Sequence, residues 1–371
     1  MCLGSARLVA AEETLGARRR GIGSAGDKSD YPPAFSQLTG RGSGMGNSIA
    51  ASSAPALLGD THNPCFKWKV HNFSNLLQRG EVSVNSAPFF YSGYKWCVSY
   101  KFLQLTPLTK SYSAKPCVAL SLGITRGSLG LEPGSVMAVV FELSIYNHSD
   151  HVHWGSKATF NFDDEHINSK KECLIPLKEL LVSTDFLADD CCVFGVDILK
   201  INALFPEKEE IAIQKAATIQ SLFIQNDNFI KLTCSVTINN FLEMSMMKFV
   251  CSRFELDGQN WYFGVYPRGN QYSNNCLSLY LHLDGSEKLP HKYGKLVELT
   301  LSILDQKHGK HFIRKCPGLV VFAGKSHWGW SDFIPLETFM NPERGYLVES
   351  CCIIKAEITI FGSSDVCRLM A

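Results

Sequence analysis

The sequence predicts an all-β chain of two tandem antiparallel β-sandwiches behind a disordered N-terminal tail. Three observations predict it. From Phe66 onward, short runs alternate apolar and polar residues, as in Phe66-Lys67-Trp68-Lys69-Val70, Val118-Ala119-Leu120-Ser121-Leu122 and Phe141-Glu142-Leu143-Ser144-Ile145. That period suits strands with one buried face, set apart by Gly, Asn and Asp turns. No long amphipathic helix separates the runs, which points to a sandwich or barrel. The pattern then recurs after roughly 160 residues, a domain-sized spacing rather than a solenoid-sized one.

The totals agree. A chain of 371 residues is long for one domain, and 45% hydrophobic residues suffice for packed cores. Lys+Arg 36 against Asp+Glu 35 leaves a net charge of +1, without the basic excess of nucleic-acid or membrane-surface binders. Apolar runs such as Val136–Leu143 are strand-sized and too short to span a bilayer. Leu8–Ala11 runs into Glu12 and Glu13, so no secretory signal is expected. The cytoplasm is the expected location, with the nucleus open. Fourteen cysteines contain no C-x-x-C pair, so reduced, buried thiols are expected ahead of disulfides, and zinc behind both.

In chain order, residues 1–62 are rich in Gly, Ser, Ala and Arg and are read as the disordered tail. Met45-Gly46-Asn47-Ser48 has a faint myristoylation look, but Ala50 stands where Ser or Thr is needed. The first sandwich is placed at 63–204, a linker with a short helical turn at 205–227, the second sandwich at 228–362 and a C-terminal tail at 363–371. Six matches in the same order mark the duplication. Asn72-Phe73 is echoed by Asn240-Phe241, Gly93–Trp96 by Gly258–Trp261, and Cys117–Leu122 by Cys276–Leu281. Leu143–Ile145 is echoed by Leu301–Ile303, Ile175–Leu177 by Ile334–Leu336, and Cys191-Cys192 by Cys351-Cys352.

The second copy reads Ile238–Phe241, Phe254–Phe263, Leu277–Leu281 and His327-Trp328-Gly329-Trp330-Ser331-Asp332-Phe333-Ile334-Pro335-Leu336. With these motifs the chain resembles the MATH (meprin and TRAF homology) domain, over about residues 63–204 and 228–362, in the tandem manner of plant TRAF-like proteins. The resemblance implies eight-stranded antiparallel sandwiches that hold an extended peptide of a partner at a sheet edge, where unpaired backbone groups give affinity and side-chain pockets give specificity. It further implies a groove lined by Tyr280, Trp328 and Trp330, with Leu299 and Val320 where peptide-binding members carry further aromatics. In the first copy Ser121 replaces the tyrosine, Phe141 and Phe160 match the Leu299 and Val320 positions, and Asn168–Cys173 offers no tryptophan. The second domain is therefore expected to be the better peptide reader.

Bland readings compete with these. Trp96 and Trp261 sit mid-strand behind turn glycines and are expected in the core. Trp328 and Trp330 share one strand face, so both line a groove or both enter the core. His148, His151 and His153 beside Asp150 follow a strand and are read as a solvated loop ahead of a zinc site. Cys191, Cys192, Cys351 and Cys352 lie in apolar contexts that do not make thiolates, so neither His291 nor His327 is expected to serve one as a base. No catalytic residue, metal or cofactor is expected. The chain is read as a non-enzymatic adaptor for protein partners, with ubiquitin or signalling pathways in view. No coiled-coil heptads, RING or BTB-like segment supports oligomerisation or ligase recruitment. Two alternatives stay open: an inactive relative or fragment of a ubiquitin-specific hydrolase, and a scaffold for folded partners.

Overall fold

The computed structural model describes residues 7–15, 55–59, 62–79, 83–103, 116–125, 136–203, 217–227, 229–244, 249–273, 275–284, 293–324 and 326–368. Alternation decides the strands. In β3 (Phe66–His71), Phe66, Trp68 and Val70 are buried while Lys67, Lys69 and His71 turn outward.

In the first sandwich one sheet runs β2 (Ala56–Leu57), β9 (Val152–Phe162), β8 (Met137–Asn147), β11 (Cys191–Ala203) and β3, all antiparallel. The facing sheet places β4 (Ser83–Asn85) and β5 (Phe89–Tyr91) beside β6 (Tyr94–Leu103), then β7 (Cys117–Ile124) and β10 (Glu172–Pro176). Trp68, Trp96, Phe141, Phe162 and Phe194 fill the space between them. The second sandwich repeats this plan. One sheet runs β13 (Ile230–Ile238), β21 (Cys352–Arg368) and β17 (Tyr293–Ile303), and β17 also takes β18 (Phe312–Lys315) and β19 (Leu319–Ala323). The other holds β14 (Phe249–Leu256), β15 (Gln259–Tyr266), β16 (Cys276–Asp284) and β20 (His327–Pro335), over Trp261, Phe263, Phe322 and Phe333.

The duplication reaches backbone detail. Asn72 and Asn240, each ending a first strand, adopt left-handed φ of 56° and 54°, a region that Asn tolerates better than most residues. The amides of Phe73 and Phe241 then donate to the carbonyls of Asp190 and Ser350, just before the last strands. Trp96 Nε1 donates to the Tyr91 carbonyl and Trp261 Nε1 to the Leu256 carbonyl, each five residues upstream. Both tryptophans are core residues, and each buried indole N–H has an acceptor.

The structure corrects the expected outline at both flanks and between the copies. Within the expected linker, Thr218–Ile224 forms a strand, β12, with Thr218, Gln220, Leu222 and Ile224 buried in alternation. It lies parallel to β3 on one side and antiparallel to the end of β21 on the other, so the two sandwiches share one continuous sheet. Residues 363–368, expected as a tail, belong to β21. Arg7–Leu15 (β1), within the expected disordered tail, pairs antiparallel with β13, and β2 pairs with β9. The Met45 motif and residues 205–216 of the expected linker, with its helical turn, fall outside the described residues.

Further contacts cross the junction. The amide of Gln220, fully buried, accepts from the Ala87 N–H at 3.1 Å and donates to Ser364 Oγ at 2.8 Å. The Arg79 guanidinium lies 4.1 Å from the ring centroid of Phe229 and 3.8 Å from that of Phe361, within cation–π reach of both. β19 runs parallel to β4, and Gly318, at φ 118°, allows the approach because a Cβ there would fall 2.1 Å from the Ser83 carbonyl oxygen. Leu296, Leu319, Val321 and Phe361 of the second sandwich pack into the core of the first.

The expectation that the cysteines stay reduced fails at one pair. Cys117 on β7 and Cys173 on β10 form a disulfide, because β7–β10 pairing brings Cα atoms 56 residues apart in sequence to 6.1 Å. Non-reducing peptide mapping should recover this cross-link, and reduction should lower the unfolding free energy by about 2–4 kcal/mol. An unchanged urea midpoint after reduction would show that the bond adds no stability. Of the other cysteines, Cys192, Cys234, Cys316 and Cys352 are buried while Cys367 is exposed, and desolvation pushes Cys97 up to about 11 and Cys234 and Cys316 up to about 12. Among the described residues no helix is long and apolar enough to cross a membrane.

Candidate functional site: the open edge of the second sandwich

β20 pairs with β16 on one side, and among the described residues no strand pairs with its other side. Its register brings Tyr280 opposite Gly329, Leu279 opposite Trp330 and Leu281 opposite Trp328. Residues directly opposite in an antiparallel pair share a face. Leu279 and Leu281 point into the core, so Trp328 and Trp330 lie on the inner side, at the rim, while Tyr280 lies on the outer side. Both tryptophans are half-buried and pack on the core that includes Leu299 and Val320.

The rim has its own polar frame. The Trp330 ring sits 5.7 Å from that of Phe333 and 5.0 Å from the Arg314 guanidinium. Arg314 Nη1 donates to the Asp332 carbonyl at 2.6 Å and lies 3.1 Å from Asp332 Oδ1. Ser278 Oγ donates to the Ser331 carbonyl at 2.6 Å where the β16–β20 register shifts. That bulge bends the strand just after the tryptophans.

The outer side is a sheet of aromatics. Tyr280 meets Tyr266 and His327 edge-on at 6.0 and 5.4 Å, and its hydroxyl accepts from Asn270 Nδ2 at 3.0 Å. Tyr262 stacks on His282 at 4.6 Å, and His282 lies 4.9 Å from His327. Burial raises the Tyr280 phenol above its ordinary range, so it stays a neutral hydrogen-bonding group. Gly329 matters here: a Cβ would fall 2.2 Å from the Leu279 carbonyl oxygen and 2.9 Å from Tyr280 Cδ1. With no side chain at Gly329, the Tyr280 ring is reachable from the edge.

The structure therefore does not bring all five expected residues to one surface. Leu299 and Val320 are 0% and 4% exposed, because both sit on the inner face of the opposite sheet, and they have no surface for a ligand. In the first sandwich Phe141 is likewise core and Phe160 packs against it, while Ser121 is buried on β7. The edge strand there, β10, is tied to β7 by the Cys117–Cys173 bond.

The rings of His148, His151 and His153 gather round Tyr146, with centroids 5.1, 6.5 and 5.0 Å from its own, rather than turning nitrogens toward one point. His151 takes the turn at φ 58° beside the Tyr146 hydroxyl, the backbone of His148 is held by Asp185, and only His153 lies within a strand. His153 Nδ1 is 3.0 Å from Ser144 Oγ. A different group converges beside it: His62, Glu142 and Asp197, each offering one ligand atom within 4.8 Å of the others. His62 stands in the expected tail, and its meeting with two strands is not readable from spacing. The polar residues at Glu142 and Asp197, each flanked by apolar neighbours, are the signal that could have singled those two out.

The MATH domain family model matches residues 65–198 and 233–358. Among curated proteins, ubiquitin C-terminal hydrolase 12 of Arabidopsis thaliana is 28% identical over 145 residues, covering 39% of this chain and 13% of its own. A MATH domain and coiled-coil domain-containing protein of Arabidopsis thaliana is 29% identical over 140 residues, covering 36% of this chain and 45% of its own. TNF receptor-associated factor homolog 1a of Arabidopsis thaliana is 31% identical over 128 residues, covering 33% and 11%. The match spans less than half the length of each of these relatives.

Proposed function

Since this chain belongs to the MATH domain family, with both sandwiches matched, we propose that it is a non-enzymatic adaptor that captures an extended segment of a partner protein along the open edge of β20. MATH domains are protein-interaction modules. The carrying observation is the pairing of an unpartnered strand edge with two half-buried tryptophans at its rim. Backbone groups on such an edge bind an added strand, and alternate side chains of that strand fall to opposite faces. One set would meet Trp328 and Trp330. The other would pass over Gly329 to Tyr280 and His327. Leu299 and Val320 support the rim from behind.

Cysteine chemistry is disfavoured by the surroundings. Burial raises the thiols of Cys191, Cys192 and Cys351, and a raised thiol is a poor nucleophile at neutral pH. His327 packs against the rings of Tyr280 and His282. The match to the ubiquitin hydrolase covers 13% of that protein, and a role beside ubiquitin-conjugate enzymes is part of the proposal. The outer face of Tyr262, Tyr266, Tyr280 and His282 supports a second reading, in which a folded partner docks there.

A peptide-display selection on the full chain tests the first reading. An enriched short motif that competes in solution and protects β20 amides from exchange is the expected result. Enrichment of nothing, or protection confined to the outer-face strand β15, would move the assignment to a folded partner.

A further inference from the structure

We propose that His62, Glu142 and Asp197 bind a divalent cation of the Mn²⁺ or Zn²⁺ kind, which pins the chain ahead of β3 to the outer face of the first sandwich. The three residues come from three separate segments. Glu142 lies on β8 and Asp197 on β11, directly opposite each other. Their sequence neighbours Phe141, Leu143, Val196 and Ile198 are core residues, so both carboxylates turn to the outer face. His62 closes over them with its side chain 2% exposed, and Nδ1 lies 2.7 Å from Glu142 Oε2.

Charge is the first argument. Like charges directly opposite on neighbouring strands are destabilising, and these two are partly withdrawn from water, Asp197 to 7% exposure. His62 lies against both carboxylates, and Lys67, opposite Gly195 on β3, and Lys157, opposite Glu142 on β9, turn to the same outer face. A divalent cation with a neutral imidazole balances the pair.

Orientation is the second. His62 Nε2 lies 3.0 Å from the fully buried Ser144 Oγ, which in turn lies 3.0 Å from His153 Nδ1. At 2.7 Å, His62 Nδ1 and Glu142 Oε2 share a hydrogen bond; when a cation takes that place, an N–H donated from Nε2 to Ser144 frees the Nδ1 lone pair for it, and outer hydrogen bonds of this kind hold metal-bound imidazoles. Asp197 Oδ2 also accepts from the Asn63 N–H at 3.4 Å. Pro64 is packed against Gly195, where a Cβ would fall 2.9 Å from Pro64 Cγ. Ahead of the cluster the Leu58 N–H donates to the His153 carbonyl at 2.9 Å, so the segment is seated on the sheet on both sides. Two carboxylates with one imidazole suit Mn²⁺ or Zn²⁺ better than the soft ions that thiolates select.

The test uses the full chain, stripped of metal, and Mn²⁺ as the probe, since a hard cation ignores the many thiols. Electron paramagnetic resonance titration should find one bound Mn²⁺ per chain, with Zn²⁺ competing for it. Asp197→Asn and Glu142→Gln should each raise Kd at least about tenfold, because losing a ligand costs no less than losing an outer hydrogen bond. Mn²⁺ should also raise the melting temperature of the unaltered chain with concentration. No bound Mn²⁺ on the unaltered chain at millimolar ion would overturn the proposal and leave a hydrogen-bonded clamp between His62 and Glu142. Binding unchanged in both folded variants would overturn it equally, by placing the ion elsewhere.

Discussion

Leu222→Ala is expected to lower the unfolding free energy by about 2–5 kcal/mol, and to loosen both sandwiches rather than one. Leu222 is fully buried in β12, opposite Val70 of β3 and Ser364 of β21. Truncating a buried leucine removes its transfer free energy and leaves a cavity whose cost depends on how far the site relaxes. Relaxation is restricted here, since β12 is flanked by a strand on each side and Gln220 nearby is hydrogen-bonded to both sandwiches. Hydrogen exchange read by mass spectrometry distinguishes the outcomes. Faster exchange in both β3 and β21 is the expected pattern. Faster exchange in one of them alone would mean that β12 belongs to that sandwich and leans on the other. The same coupling makes the second sandwich a poor fragment to study alone, because cutting before it strips β12 from the end of β21 and uncovers Phe361 and Leu296.

The strands that alternate over a single buried face were legible from sequence, and so was their duplication, because local period and turn residues such as Asn72 and Asn240 act in the same way in both copies. β12 was not. Thr218–Ile224 alternates in burial but not in polarity, since Thr218 and Gln220 are buried and Phe223 is exposed, and its partners lie in two different domains. Nothing local announces a strand that pairs with two sandwiches at once. The disulfide has a similar cause: Cys117 and Cys173 meet only because β10 returns beside β7. For Trp328 and Trp330 the sequence left groove and core in balance. The structure puts both on the inner side and yet half-exposed, because an edge strand has an inner side that the facing sheet does not wholly cover. Leu299 and Val320 lack that circumstance and are sealed.

Trp330→Ala and Tyr280→Ala are expected to weaken binding of a selected peptide by about 2 kcal/mol or more each, roughly thirtyfold, and to do so at different peptide positions. Aromatic anchors at an interface carry most of the affinity when they fill a desolvated site. Trp330 lies on the inner rim and Tyr280 on the outer face, one on each side of the strand edge. A strand added to that edge alternates its side chains between the two sides. Positions that Trp330 reads must then differ by an odd number from those that Tyr280 reads. Repeating the peptide selection on each variant exposes this: preference should vanish at even positions of the motif in one variant and at odd positions in the other. Circular dichroism and thermal melts keep the comparison to folded chains. Loss of preference at the same position in both variants would mean that the partner does not lie as a strand. Retained preference in the Trp330 variant, with loss only in the Tyr280 variant, would place the partner on the outer aromatic face and leave the edge of β20 idle.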